Sequence, residues 1–172
     1  MNMLPHKTKT LGLATLLALM SHAGLQAQTT LKVGEPFPNC AAFKLEGTLP
    51  AALKGKIVLV DFWASWCGPC AKSFPAMEAL QNKFKDRLVI LAVSVDAKPA
   101  NLEKFLKKHP VTFTVVRDAE HQLVDAVGAT AMPTSFLLDA TGKVRFTHNG
   151  FDGEDTTKQY LTEIESLLND KP

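Results

Sequence analysis

Cys67 and Cys70 stand three positions apart in the run Trp66-Cys67-Gly68-Pro69-Cys70. Thiols at that spacing suit dithiol-disulfide exchange: one accessible thiolate attacks a foreign disulfide, and the second thiol resolves the mixed disulfide that results. If the pair opens a helix, Cys67 lies near unpaired backbone N–H groups and the positive end of the helix dipole, which favour its ionised form. Cys70, one turn further in, is then shielded until Cys67 carries a substrate sulfur. As a structural staple the pair would achieve little, because closing so short a loop removes little entropy from the unfolded chain. The same spacing also supplies half of a zinc site. Only Cys40 remains as a further thiol, and no second close Cys/His pair occurs. His109, His121 and His148 are scattered, so no metal or cofactor is expected. Cys40 reads as a buried free thiol.

Asp61 is the acid nearest the pair. It interrupts residues 57–63, a run otherwise apolar and rich in β-branched side chains, which suits a central strand covered on both faces. A carboxylate ionised there without partners is costly, so its pKa should be raised, and it could exchange a proton with a nearby thiol. Further on, Met132-Pro133-Thr134 stands just before another apolar run, where a proline belongs only at the start of a strand. A cis bond before Pro133 would turn the Met132 backbone outward to receive an extended substrate; trans is the default, and spacing alone leaves that choice open. Met132, Pro133 and Thr134 are therefore substrate-binding candidates. Trp66 joins them as an apolar platform, whereas Trp63 is expected inside.

The elements that must position these residues follow from periodicity. A turn over Ala64-Ser65-Trp66 delivers Cys67 to a helix over 71–84, whose Phe74, Met77, Leu80 and Phe84 share one face and whose Pro75 should kink it. A second buried strand is predicted over 88–95 and a helix over 99–109, with Pro99 in its first turn. A strand over 113–116 and a short helix over 120–127 follow. Strands over 134–139 and 144–148 form a hairpin, and a helix over 156–168 closes the chain. Residues 31–56, rich in Gly and Pro, read as an extension with short strands or a hairpin. This order implies an α/β fold with a mixed central sheet flanked by helices.

The chain has 172 residues, 46% hydrophobic and 21% charged, enough for one domain with its own core. Lys7 and Lys9, the apolar run 11–20 and the small residues Ala23 and Ala27 have the three regions of a secretory signal peptide, expected over 1–27, with the mature domain over 28–172. An uncleaved membrane anchor facing the periplasm is the alternative. Removing Lys7 and Lys9 from 19 basic residues leaves 17 against 17 acidic, a balance that gives no warrant for a nucleic-acid partner. Export places the thiols in an oxidising compartment, where a disulfide persists.

The run Val60-Asp61-Phe62-Trp63-Ala64-Ser65-Trp66-Cys67-Gly68-Pro69-Cys70 resembles the active-site strand and helix start of thioredoxin. Gly34-Glu35-Pro36-Phe37-Pro38, Phe74-Pro75, the run from Met132 to Asp139, and Gly142-Lys143-Val144 extend the likeness to the TlpA/ResA family of exported thioredoxin-like reductases. The resemblance implies a thioredoxin-like fold with an N-terminal strand extension and a strand-helix insertion fitting 88–109. It also implies a nucleophile at Cys67, a resolving thiol at Cys70 and a cis-proline at Pro133. Implied partners are client proteins with disulfides or thiols, apocytochrome c and copper-centre proteins among the client classes, and a membrane thiol electron donor; a periplasmic monomer is expected. Two positions depart from the family. Ser73 stands where many cytochrome-maturation members carry a buried glutamate, and Ala131 where glycine is usual. Both weaken the cytochrome-specific role and leave the thiol chemistry intact. Gly68-Pro69 points to a reductant rather than an oxidant or isomerase. A thiol peroxidase and a non-enzymatic binding module or metallochaperone are the rival functions; neither needs the resolving cysteine.

Overall fold

Ile57–Trp63 forms the axial strand β1, with all seven residues buried. In this computed structural model, which describes residues 31–51 and 53–170, β1 pairs in parallel with β2 (Leu88–Ser94) and antiparallel with β4 (Thr134–Leu138). Strand β3 (Thr114–Arg117) lies outside β2, and β5 (Val144–Asn149) outside β4, so the sheet runs β3-β2-β1-β4-β5. The near-continuous apolar composition of β1 and β2 is what a strand covered on both faces requires. The expected leader over 1–27 lies outside the described residues.

Helices α1 (Gly68–Phe84), α2 (Pro99–Lys108), α3 (Gln122–Val127) and α4 (Gly153–Asn169) complete the thioredoxin-like architecture. Helix α1 begins three residues earlier than periodicity places it. Pro69 lies in the first turn, where its missing N–H leaves no bond unmade. Pro75 sits inside α1 and removes one backbone donor without ending the helix.

Successive side chains of β1 point to opposite faces. On one face the Trp63 ring packs against Phe74 of α1 at 4.6 Å and Phe105 of α2 at 4.7 Å, and Phe74 meets Phe113 at 5.4 Å. On the other, Phe62 meets Phe136, which in turn meets Phe37 of the N-terminal extension at 5.6 Å. That extension runs along the sheet as open chain with one 3-10 turn, Cys40–Ala42, and joins through single bridges, Pro36 to Lys143 and Glu46 to Arg117. Pro36 and Pro38 lack the N–H groups that a longer ladder would need.

Candidate active site

Cys67 is the N-cap of α1, and its Sγ accepts the Cys70 N–H at 3.1 Å. The two sulfurs are joined at 2.08 Å, with the Cα atoms 5.3 Å apart. Cys67 is 6% exposed and Cys70 fully buried, the order that attack by the outer and resolution by the inner sulfur requires. A sulfur at the N-cap faces the free N–H groups of a 17-residue helix, so a thiolate formed there is stabilised by hydrogen bonding and by the dipole together.

The turn that carries Cys67 is clamped from the neighbouring strand. Asp96, just beyond β2, accepts the Ser65 N–H at 3.0 Å and the Ser65 hydroxyl at 2.7 Å, and a third bond at 2.9 Å from Ser94 Oγ holds the carboxylate in place. Arg117 donates to the Asp96 carbonyl at 3.0 Å while its guanidinium also grips Glu46 of the extension. Chain segments remote in sequence thus fix the position of Ser65, two residues before the outer cysteine.

Across from the dithiol, the Met132-Pro133 peptide is cis, and the Met132 carbonyl oxygen lies 3.4 Å from Cys67 Sγ. An oxidised sulfur carries no proton to donate, so this is a van der Waals approach; it brings the Met132 backbone against the reacting atom. Pro133 is buried and Met132 partly exposed. Thr134 is turned inward at 2% exposure, its hydroxyl donating to the Ala131 carbonyl at 2.7 Å, so its side chain braces the loop that carries Met132. Trp66 is 72% exposed and rims a shallow groove of about 460 Å³ beside Cys67, whose far wall is Lys104, Lys108 and His109. Trp63 is buried, as its place in β1 implies.

Asp61 is fully buried on the face of β1 that also carries Trp63, beneath α1 and α4. Burial pushes its carboxyl up from 3.8 to about 7, against the lowering effect of a 2.7 Å hydrogen bond from Ser135 Oγ to Oδ1. Among the described residues its Oδ2 has no hydrogen-bond partner. Ser73, three residues after Cys70, is buried and donates to the Cys70 carbonyl at 3.0 Å. Asp61 thus supplies a buried acid in the core where position 73 does not. Cys40 is 4% exposed, and burial pushes its thiol up to about 11. It lines a cavity with Val58, Val60 and Leu138, on the face of β1 opposite Asp61.

Three residues of this site escape sequence reading. Asp96 stands two residues past a strand parallel to β1, and an acid just beyond a buried strand was the available signal. Ser135 opens an otherwise apolar strand beside Thr134. Tyr160, the single tyrosine of the chain, reads as one more member of an apolar helix stripe, yet a buried phenol needs a hydrogen-bond partner.

Comparison with known proteins agrees with this geometry. The family model described as Redoxin matches residues 32–164. The chain is 35% identical over 140 residues to the thiol-disulfide oxidoreductase ResA of Geobacillus thermodenitrificans, covering 80% of each chain. Among solved structures it is similar to one assigned as a thiol:disulfide interchange protein DsbE from Chlorobium tepidum (39% identity, TM-score 0.74, 81% of this chain and 99% of that one). It is also similar to StoA from Bacillus subtilis (28% identity, TM-score 0.55, 63% and 84%).

Proposed function

Because the chain belongs to the Redoxin family, in its ResA-like branch of thioredoxin-fold thiol-disulfide oxidoreductases, we propose that it works outside the cytoplasm as a reductant of protein disulfides. Its activity is dithiol-disulfide exchange through Cys67 and Cys70. The observation that carries the reading is the asymmetry of the pair: an N-capping outer sulfur beside the Met132 carbonyl, and an inner sulfur with no solvent contact.

In the proposed cycle the reduced enzyme meets an extended client segment laid along the Met132-Pro133 backbone and over Trp66. The Cys67 thiolate attacks one client sulfur, the client S–S bond breaks, a Cys67-client disulfide forms, and the departing client thiolate takes up a proton. Cys70 then gives its proton to Asp61, and its thiolate attacks Cys67 Sγ. The Cys67-Cys70 bond forms as the mixed disulfide breaks, and the second client thiolate leaves and is protonated. Enzyme dithiol and client disulfide have become enzyme disulfide and client dithiol. A membrane-held dithiol of another protein regenerates the reduced pair by the reverse exchange.

Export through a cleaved leader and action as a monomer complete the reading. No helix among the described residues is long and apolar enough to cross a membrane. Apocytochrome c and copper-centre proteins are the client classes to test first; Ser73 in place of a glutamate favours a broader range. The test is a trap: Cys70→Ser should accumulate client proteins disulfide-linked to Cys67, and Cys67→Ser should accumulate none. A redox equilibrium near −250 mV or lower supports a reductant, and one near −120 mV overturns the direction.

A further inference from the structure

The face of the sheet beneath α1 and α4 carries a polar row of which the exchange chemistry just described uses only Asp61. In register, Asp61 of β1 stands opposite Ala92 of β2 on one side and Ser135 of β4 on the other, and Ser135 stands opposite His148 of β5. Directly opposed residues of neighbouring strands share a face. Helix α4 closes over the row with Tyr160, 1% exposed, and with Glu163 one turn on. Ser135 Oγ is 2.7 Å from Asp61 Oδ1 and 2.7 Å from the Tyr160 hydroxyl. Further out, His148 Nε2 meets Glu163 Oε2 at 2.7 Å, and the His148 ring stands edge-on to Tyr160 with centroids 4.8 Å apart.

Counting protons fixes the direction of this chain. Each hydroxyl has one proton to give, and an ionised carboxylate only accepts. Facing Asp61 as a carboxylate, Ser135 donates to Oδ1, and Tyr160 must then donate to Ser135 Oγ. Every proton is used. Were Asp61 to take its proton on Oδ1, the chain would have to reverse, and the Tyr160 proton would point away from Ser135 with no other acceptor among its hydrogen bonds. Oδ1 is therefore held as an acceptor in both states. Oδ2, which has no hydrogen-bond partner among the described residues, remains the atom that can change its protonation.

Resting on the reading of Asp61 as the proton acceptor for Cys70, we propose that Ser135 and Tyr160 are positioning residues of the exchange reaction, a two-hydroxyl donor chain that holds Asp61 Oδ1 and leaves Oδ2 to carry the proton. The titratable groups along this row are Tyr160 and Glu163 from α4 and His148 from β5, with the dithiol on α1, the helix packed over the same face; β2 contributes only Ala92 opposite Asp61. Neither hydroxyl touches the client. They act through Asp61.

Two readouts test this separately from the role of Asp61. The first is the infrared carbonyl band of the protonated Asp61 carboxyl, titrated in the full-length oxidised protein, where Cys67 and Cys70 do not titrate. Subtraction of Asp61→Asn identifies the band. Ser135→Ala should move its midpoint up by about one pH unit, the loss of a hydrogen bond to a charged acceptor. Tyr160→Phe, which keeps the ring packed, should move it the same way by less. Midpoints left in place by both variants overturn the proposal. The second readout is the single-turnover rate of reduction of a model peptide disulfide against pH. Beside the ionisation of Cys67, its profile should contain an inflection that shifts with the infrared midpoint in Ser135→Ala and vanishes in Asp61→Asn. A loss of rate in Ser135→Ala and Tyr160→Phe that is equal at every pH marks a merely structural role and also overturns it. If instead Asp61→Asn keeps that inflection, the reading of Asp61 fails and the proposal built on it falls, even where the infrared midpoints move.

Discussion

Replacing Asp61 with Asn should stabilise the oxidised protein at alkaline pH far more than at acid pH. The native carboxyl titrates near 7, burial having raised it from 3.8, whereas an unfolded chain ionises near the lower value. For an acid whose pKa is raised by folding, the sign is fixed. The folded state binds the extra proton, so the stability associated with it is fully present below about pH 4 and is lost as pH rises through 7. The shift of about three units corresponds to a cost on the order of 4 kcal/mol above pH 8, at 1.36 kcal/mol per unit. Asn keeps the shape and the acceptor facing Ser135 but cannot ionise. It places an amide N–H₂ where Oδ2 was, an offset of about 1–3 kcal/mol that is the same at every pH. The clean quantity is therefore the difference between two pH values. With a urea slope of about 2 kcal/mol/M, the midpoint of Asp61→Asn relative to wild type should rise by about 2 M more at pH 8.5 than at pH 4. Holding both proteins oxidised removes Cys67 and Cys70 from the comparison, and the free Cys40 is common to both. Equal midpoint differences at the two pH values would refute the reasoning, because Asp61 would then have the same proton affinity in the folded and unfolded chains.

Trp66→Ala should leave the unfolding midpoint within about 0.5 kcal/mol of wild type, since the ring is 72% exposed, while raising KM for a protein client several-fold and sparing the rate with a small disulfide. Asp96→Ala removes the acceptor of two Ser65 bonds and one Ser94 bond. It should cost on the order of 3 kcal/mol in urea unfolding and slow single-turnover exchange, with Ser65→Ala showing a fraction of both effects. Cys40→Ala should retain full exchange activity, and in the reduced native protein iodoacetamide should label Cys67 well before Cys40, as followed by peptide mass, because burial leaves Cys40 little thiolate at neutral pH.

Much of this site is readable because its parts lie close in sequence. Asp61, Trp66, Cys67 and Cys70 sit within ten residues, and the switch from an apolar β-branched run to a helical pattern between them dictates a strand, a turn and a helix start. The hairpin of β4 and β5 and the helix α4 follow from equally local patterns. What escapes is what only register supplies. That Ser135 faces Asp61 depends on the antiparallel pairing of β1 with β4, and a shift of one residue would have turned that hydroxyl to the other face. Asp96 lies two residues beyond the end of β2 and belongs to no motif or period; its meaning comes from the parallel pairing that sets the end of β2 against the end of β1, beside Ser65. The N-terminal extension illustrates the converse. Its Gly and Pro content was plain, but whether such a segment pairs as a ladder or through single bridges depends on what the sheet edge offers.

Stability and chemistry meet in the same free energy at Asp61. Raising the acceptor's pKa from 3.8 to about 7 makes taking a proton from any given thiol about 4 kcal/mol less uphill, at 1.36 kcal/mol per pH unit. On the proposed mechanism, the gain of about 4 kcal/mol in proton transfer equals what the fold loses on ionising Asp61, because both measure one quantity, the reluctance of a buried carboxylate to stay charged. Full burial of the acid raises its proton affinity toward that of the thiol, and the Ser135 bond limits how far. A more exposed acid at this position would strengthen the fold at alkaline pH and weaken the base. The aromatic cluster of Trp63, Phe74, Phe105 and Phe113 on the same face of the sheet supplies the packing that lets the fold carry the charged form.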